Sequence, residues 1–403
     1  MKQTTVLLLL LVLVGAARAA DSLNVRLVGD YDTPGQACGV AVNGDYVYVA
    51  GQDSGLRVIS VADPAHPVEV GYLITPGAAY GVAVNEQNAY VADDTAGLRI
   101  ISVADPAQPH ELGYCDTLGA PRSVSVRGGY AFATSGGLLW VISVSDSAHP
   151  SAVGFSDPMP MENSVAVSGD YAYVTSSLAF LLVIRIADPA SPTWVARMVL
   201  SDPAYGVAVG GGHAYVATSA GLLVVSIADP AGPGWVGFVN TPGKARGVAV
   251  SGNYAYVADD TAGLRVISVA DPAHPTEVGY YRIEGSSTTG VTVIEDIAYV
   301  ACGSEGLQIC QFYGYGIEEG PGAHVRPMGC VPAMARGVLM LPDVPGRTAR
   351  VASLLDAGGR TVLDLRPGPN DVSDVAPGVY FVQTEPTAAS RQPLAVAKVV
   401  ICR

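Results

Sequence analysis

Seven residues share one sequence context and carry distinct chemistry. Cys38, Tyr80, Arg122, Asn163, Tyr205, Arg246 and Thr289 each stand immediately before a run of the form Gly/Ser-Val-small-Val, with Glu162 and Lys244 close by. Two guanidinium forks and two phenol faces in such a set suit an anion, a sugar or a peptide carboxylate. The set has no histidine and one carboxylate, so neither a Ser-His-Asp arrangement nor a carboxylate pair is evident, and no catalytic residue is assigned. The expected ligand-binding residues are Tyr80, Arg122, Glu162, Asn163, Tyr205, Lys244 and Arg246.

Other polar residues read as architecture. Asp93-Asp94 and Asp259-Asp260 fall in Asp-Asp-Thr-Ala-Gly-Leu loops. These offer too few oxygens for calcium and have the composition of tight turns. His66, His149 and His274 recur in equivalent loops, too far apart to share a metal. Arg57, Arg99 and Arg265 each follow Gly-Leu and are expected to pair with Asp53, Asp94 and Asp260. No Cys-x-x-Cys or His-x-x-x-His occurs, so no metal and no cofactor are expected. Six cysteines allow fifteen disulfide connectivities. Cys330 and Cys402 flank the C-terminal segment and form a possible disulfide; Cys38 with Cys302 is a weaker pairing.

The elements that hold these residues come from a repeat. Asp63, Asp105, Asp146, Asp188, Asp229 and Asp271 follow one another at 42, 41, 42, 41 and 42 residues, five of them in Ala-Asp-Pro. Each period contains four short runs rich in Val, Ile and Tyr, bounded by turn-forming residues. In the first period they are 38–42, 46–50, 56–61 and 68–72. The first-strand run occurs seven times, and the outermost strand starts early, as Val25-Arg-Leu-Val-Gly-Asp-Tyr31. The expected fold is all-β: a seven-bladed β-propeller of four-stranded blades over residues 24–313, closed by its N-terminal strand. The binding residues would then ring one mouth of the central channel.

Leu-Arg-Val-Ile-Ser-Val-Ala-Asp-Pro-Ala-His-Pro, Tyr-Asp-Thr-Pro-Gly at 31–35 and Gly-Asn-Tyr-Ala-Tyr-Val-Ala at 252–258 resemble the LVIVD-repeat family of bacterial surface propellers. The family's Asp after the apolar tripeptide is replaced by Ser60, Ser102, Ser143, Ser226 and Ser268, and by Arg185 in the fourth unit. The family has no general catalytic activity to carry over. After a linker at 314–322, residues 323–403 read as a small immunoglobulin-like β-sandwich. Leu355-Asp-Ala-Gly-Gly-Arg360, Val375 to Tyr380 and Lys398-Val-Val-Ile resemble the C-terminal sorting domain of type IX secretion substrates, which implies secretion machinery as a partner.

Composition bounds the function. Charged residues are 14% of the chain, while Gly and Pro together are abundant, which disfavours long amphipathic helices. A net charge of −14 disfavours nucleic acid and anionic membrane surfaces. Lys2, the apolar run Val6 to Val14 and Ala17-Arg18-Ala19 mark residues 1–20 as a signal peptide. No second run has spanning length, so no transmembrane segment is expected in the mature chain. The chain reads as an exported, non-catalytic propeller on the extracellular or outer-membrane surface of a bacterium, binding an extracellular protein or glycan. The alternative is a propeller hydrolase or lyase acting on an extracellular polymer or lactone at the same mouth.

Overall fold

The computed structural model describes residues 22–116, 119–159, 161–283 and 285–314, and seven strands between residues 333 and 401. Two compact units meet between Tyr313 and Gly314. Residues 1–20, read above as a signal peptide, and the pair Cys330 and Cys402 lie outside the described residues.

The first unit is a ring of seven sheets. Blade 1 runs Gly39–Asn43, Tyr46–Ala50, Leu56–Ser60, Val68–Leu73; blade 2, Gly81–Asn85, Asn88–Ala92, Leu98–Ser102, His110–Cys115. Blade 3 runs Ser123–Arg127, Tyr130–Ser135, Leu138–Ser143, Ser151–Phe155; blade 4, Glu162–Ser168, Tyr171–Ser176, Phe180–Arg185, Thr193–Val199. Blade 5 runs Ala204–Gly210, His213–Thr218, Gly221–Ser226, Gly234–Asn240; blade 6, Gly247–Ser251, Tyr254–Ala258, Leu264–Ser268, Thr276–Tyr281. Blade 7 has Gly290–Ile294, Ile297–Ala301 and Leu307–Phe312, and its outer strand is Val25–Tyr31 from the start of the chain. Closure by the N-terminal strand is therefore as the sequence leads one to expect. The structure adds a shorter strand, Ser22–Leu23, which pairs with Thr276–Tyr281 on blade 6. Between the two strands Asn24 turns through φ 52° and its side-chain amide donates to Val278 O. The first ten described residues thus straddle the last two blades.

The core lies between sheets, because each blade packs a face on its neighbour. Tyr48, Leu56 and Val58 of blade 1, for example, bury against Ala89, Val91 and Ile101 of blade 2. Second strands are covered on both faces, which explains their near-continuous apolar runs. Inner strands follow one another around the axis, the seventh contacting the first. Their leading glycines allow this approach. A Cβ on Gly39, Gly81 or Gly290 would lie 2.5, 2.6 or 2.8 Å from the carbonyl oxygen of Tyr80, Arg122 or Cys38 on the next blade. Blade 3 has Ser123 there, and its hydroxyl accepts the Val165 amide of blade 4. The outer seam repeats the pattern: Gly71 packs on Pro106 O of blade 2, and Gly29 of the N-terminal strand packs on Pro64 O of blade 1.

The second unit contains a five-stranded sheet in the order Ala333–Ala335, Val396–Ile401, Gly378–Thr384, Ala352–Leu355, Thr361–Leu365. Val338–Leu341 pairs with Gly368–Asp371.

Candidate functional site

The seven residues that lead into the Gly/Ser-Val-small-Val runs occupy equivalent places on the ring, Asn163 and Tyr205 already inside the longer inner strands of blades 4 and 5. The amides of Cys38, Tyr80, Arg122, Arg246 and Thr289 each donate to a carbonyl at or next to the end of their blade's second strand: Ala50, Ala92, Thr134, Ala258 and Ala301. Repetition of one backbone bond brings these positions to one end of the channel.

Two pairs form there, each across a blade boundary. The Arg122 guanidinium of blade 3 stacks over the Tyr80 ring of blade 2 at 4.7 Å. Arg246 of blade 6 stacks over Tyr205 of blade 5 at 4.9 Å. Such cation–π contacts fix a long side chain without consuming its N–H donors. The pairs differ in charge. Arg246 reaches the Asp260 carboxylate at 3.1 Å, whereas no carboxylate lies within ion-pair distance of Arg122 among the described residues. Burial works against the charge of Asp260, but bonds from Ser287 and Arg246 prevail and hold its carboxyl below the usual range.

The remaining candidates are tied into the wall. Asn163 donates to Ala204 O at 2.7 Å and Glu162 accepts the Gly137 amide at 2.8 Å. Lys244 is exposed and close enough to Asp260 to favour its charge. The Thr289 hydroxyl sits 2.9 Å from Cys38 O. The Cys38 thiol takes a hydrogen bond from Gln52; burial raises its pKa, while that bond and the nearby Arg122 pull it back.

Sequence reasoning missed a cavity of about 620 Å³ next to this mouth, where blades 6, 7 and 1 meet. Cys38 and Thr289 line it together with Gln36, Arg282, Ser286 and Ser304. A signal was present. Thr-Pro-Gly precedes the inner strands of blades 1, 2 and 6 at 33–35, 75–77 and 241–243, but Ile283-Glu284-Gly285 stands before blade 7, with one residue more before the strand.

Three blades carry a buried arginine whose partners differ from those expected. Arg57, Arg99 and Arg265 do not pair with Asp53, Asp94 and Asp260. They reach Glu69, Glu111 and Glu277 of the outer strand at 3.3–3.4 Å, and stack on Tyr72, Tyr114 and Tyr280. The cause is register, since each arginine faces its tyrosine directly across the third and outer strands. Arg99 and Arg265 also lie 3.7 Å from Asp93 and Asp259, an ion pair too long to be a hydrogen bond. Those two aspartates are fully buried. Asp93 accepts the Thr75 hydroxyl and Gly77 amide, and Asp259 accepts the same groups of Thr241 and Gly243. The first aspartate of each Asp-Asp pair therefore clamps the loop leading into its blade.

Blade 1 lacks this clamp. Gly51 occupies the aspartate position, and the Thr33 hydroxyl and Arg57 Nε are buried without hydrogen-bond partners. A Cβ on Gly51 would meet Ser54 Oγ at 2.2 Å, and blades 2 and 6 have Ala96 and Ala262 at that place. The double change Gly51→Asp with Ser54→Ala should give the buried Thr33 hydroxyl an acceptor and raise stability by about 1 kcal/mol, while Arg57 Nε stays unbonded, as Arg99 Nε and Arg265 Nε do beside Asp93 and Asp259. Urea denaturation measures this; a double variant less stable than the parent would show that desolvating the new carboxylate outweighs its bonds.

Cys38 and Cys302 are not joined; Cys302 lies buried in the core, where desolvation holds its thiol far above the usual range. Burial likewise pushes Cys310 up to about 12. His66, His149 and His274 each lie 2.9–3.0 Å from the aspartate three residues earlier, on exposed turns of separate blades. Among the described residues no three His, Cys, Asp or Glu side chains converge, and no helix is long and apolar enough to cross a membrane.

The LVIVD repeat model matches residues 34–75, 76–117, 118–157, 161–199, 203–241 and 242–282, more than half of the chain. The protein belongs to the LVIVD-repeat family. Its seventh blade falls outside these matches, as expected for a unit whose outer strand lies 280 residues upstream of its third. No curated protein matches the chain. Among solved structures, the WD40 repeats of RRP9 superpose with a TM-score of 0.56 at 11% identity, over 71% of this chain and 96% of that one. U3-55K gives 0.56 at 11% identity, over 71% and 97%, and the computationally designed Ika8 protein 0.54 at 6%, over 71% and 98%. At such identities the likeness shows the shared propeller fold alone.

Proposed function

We propose that this LVIVD-repeat propeller is a non-catalytic binding or adhesion module that acts outside the cell and captures its partner at the mouth ringed by Tyr80, Arg122, Tyr205 and Arg246. The observation that carries this reading is the pair of arginine–tyrosine stacks, which present guanidinium edges and donors on an otherwise acidic molecule. A hydrolase or lyase at the same mouth would need a poised acid or base, but Glu162 is engaged by the Gly137 amide and Asp260 by Arg246. Glycan and peptide arrays probed with the purified propeller should give discrete signals that Arg122→Ala and Arg246→Ala reduce. Equal signals from parent and both variants would remove the mouth as the site.

Export rests on the leader-like first twenty residues and on the C-terminal resemblance to a type IX sorting domain, with residues 323–403 read as the sandwich that the secretion machinery recognises. Deleting 323–403 should retain the propeller inside the producing cell. Its appearance in the medium would dismiss the sorting role.

A further inference from the structure

We infer that the outer edge of blade 5 is a homodimer surface. Its strand Gly234–Asn240 adds antiparallel to the same strand of a second copy across a two-fold axis, and Trp235 is buried at the seam. This goes beyond the reading of the mouth and does not depend on it.

Four observations carry it. First, the edge is open and unguarded. Among the described residues no strand pairs with the outer side of Gly234–Asn240. Sheet edges are ordinarily protected by charge or proline, and this seven-residue strand has neither. Second, blade 5 is nearly bare of charge. Residues 203–241 hold one Asp, Glu, Lys or Arg, namely Asp229, whereas the other five matched repeats hold four to eight. Copies of a chain with net charge −14 repel one another, so they approach at least cost through this blade. The outer strand of blade 3, Ser151–Phe155, is uncharged too, but it is shorter and its repeat holds Arg122, Arg127, Asp146 and Asp157. Third, the outer face has exchanged ions for apolar groups. Where blades 1, 2 and 6 set Arg57, Arg99 and Arg265 near Glu69, Glu111 and Glu277, the register of blade 5 puts Leu223 and Trp235. Trp140 and Trp194 pack on the cores between blades, but Trp235 leans on Phe238 at 5.9 Å and stays 51% exposed. Fourth, the fold already adds a strand to such an edge. Ser22–Leu23 pairs antiparallel with Tyr280 and Tyr281 of blade 6, whose places in blade 5 are Phe238 and Val239. The seam is small beside the roughly 1,200–2,000 Å² of a stable interface, so the dimer is weak and concentration-dependent. Joined rim to rim, two propellers keep both channel mouths free, which makes capture there bivalent.

Sedimentation velocity of the purified protein tests this. The parent should run as a monomer at about 1 µM and mostly as a dimer at about 200 µM, for a Kd on the order of 10 µM. Trp235→Lys puts a guarding charge on the edge at a half-exposed place and should weaken the dimer at least tenfold. Phe155→Lys, the same change on the outer strand of blade 3, should weaken it by less than twofold. Thermal melts verify folding of both variants, and amide exchange in the parent gives a reading that needs neither. A peptide spanning 234–240 should exchange more slowly at the higher concentration, while one spanning 151–155 should not change. A parent that stays monomeric at about 200 µM, or a dimer that survives Trp235→Lys, overturns the inference. So does an equal loss from Phe155→Lys, or exchange at 234–240 that ignores concentration.

Discussion

Replacing Asp259 by alanine should destabilise the propeller by about 3–5 kcal/mol, the usual cost of stripping one partner from a buried charge. The loss has three parts. Arg265 is 3% exposed and would keep Glu277, the carbonyl of Ala262 and the Tyr280 ring but lose its buried counter-charge. The Thr241 hydroxyl and Gly243 amide, both directed at the missing carboxylate, would be stranded. Asp260→Ala, one residue later, removes a partly exposed pair with Arg246 and the bond from Ser287, and should cost less, about 1–2 kcal/mol. Urea unfolding of the two variants distinguishes them; equal losses would show that the loop, not the buried carboxylate, matters.

The same site has a definite pH signature. Burial raises the Asp259 carboxyl above its ordinary value, with the Thr241 and Gly243 bonds and Arg265 pulling back only in part. A carboxyl raised on folding contributes stability that is full below its unfolded value and is lost as pH climbs through its folded value. The advantage of the parent over Asp259→Asn should therefore widen as pH falls from neutral toward 4. A gap that narrows on acidification would contradict the direction of the shift.

Removing residues 22–31 should abolish cooperative folding. Val25–Tyr31 is the only strand covering the outer edge of Leu307–Phe312 among the described residues, and Asn24 ties it to blade 6. Val25 is itself 1% exposed in the cluster with Cys310 and Phe312, and Val28 and Tyr31 pack on the cluster that holds Ile309, so loss of the strand would uncover all three. At about 1.5–3 kcal/mol per buried side chain, the deficit reaches roughly 5 kcal/mol or more, comparable to the whole stability of many domains at about 5–15 kcal/mol. The exposed edge would also pair between molecules. Circular dichroism with urea should show no sharp transition, and a synthetic peptide of residues 22–31 should partly restore it. A truncated chain that still unfolds cooperatively within about 1 kcal/mol of the parent would contradict the closing role of this strand.

The ring was legible because its determinants are local. Gly-Val-Ala-Val repeats where a Cβ would strike the next blade, and Val25 to Tyr31 is an outer strand without an inner one before it. The arginine partners were not legible, because they depend on cross-strand register. A bulge between Val58 and Ile59 in the first blade's ladder determines that Arg57 faces Tyr72 and reaches Glu69, not Asp53. Nor does the sequence distinguish two adjacent aspartates. Only the backbone does so: Asp94 and Asp260 adopt φ of 44° and 51° and stay accessible, while Asp93 and Asp259 turn inward. The mouth positions followed from the repeat, but which arginine keeps its charge available depends on Asp260, fourteen residues from Arg246. The cavity arises from a loop that departs from the repeat, where a periodic reading has least to say.

The clasp between Val25–Tyr31 and Leu307–Phe312 also orders events in time. The first piece of the wheel to be synthesised is the last to be used, and at roughly 5–20 residues per second it waits some 15–60 s for its mate. A chain cut short anywhere before Phe312 can form several blades yet leaves that early segment dangling, so finished ribosomal products differ from fragments by more than length. Completion of the wheel doubles as proof that the message was read to the end of its seventh blade.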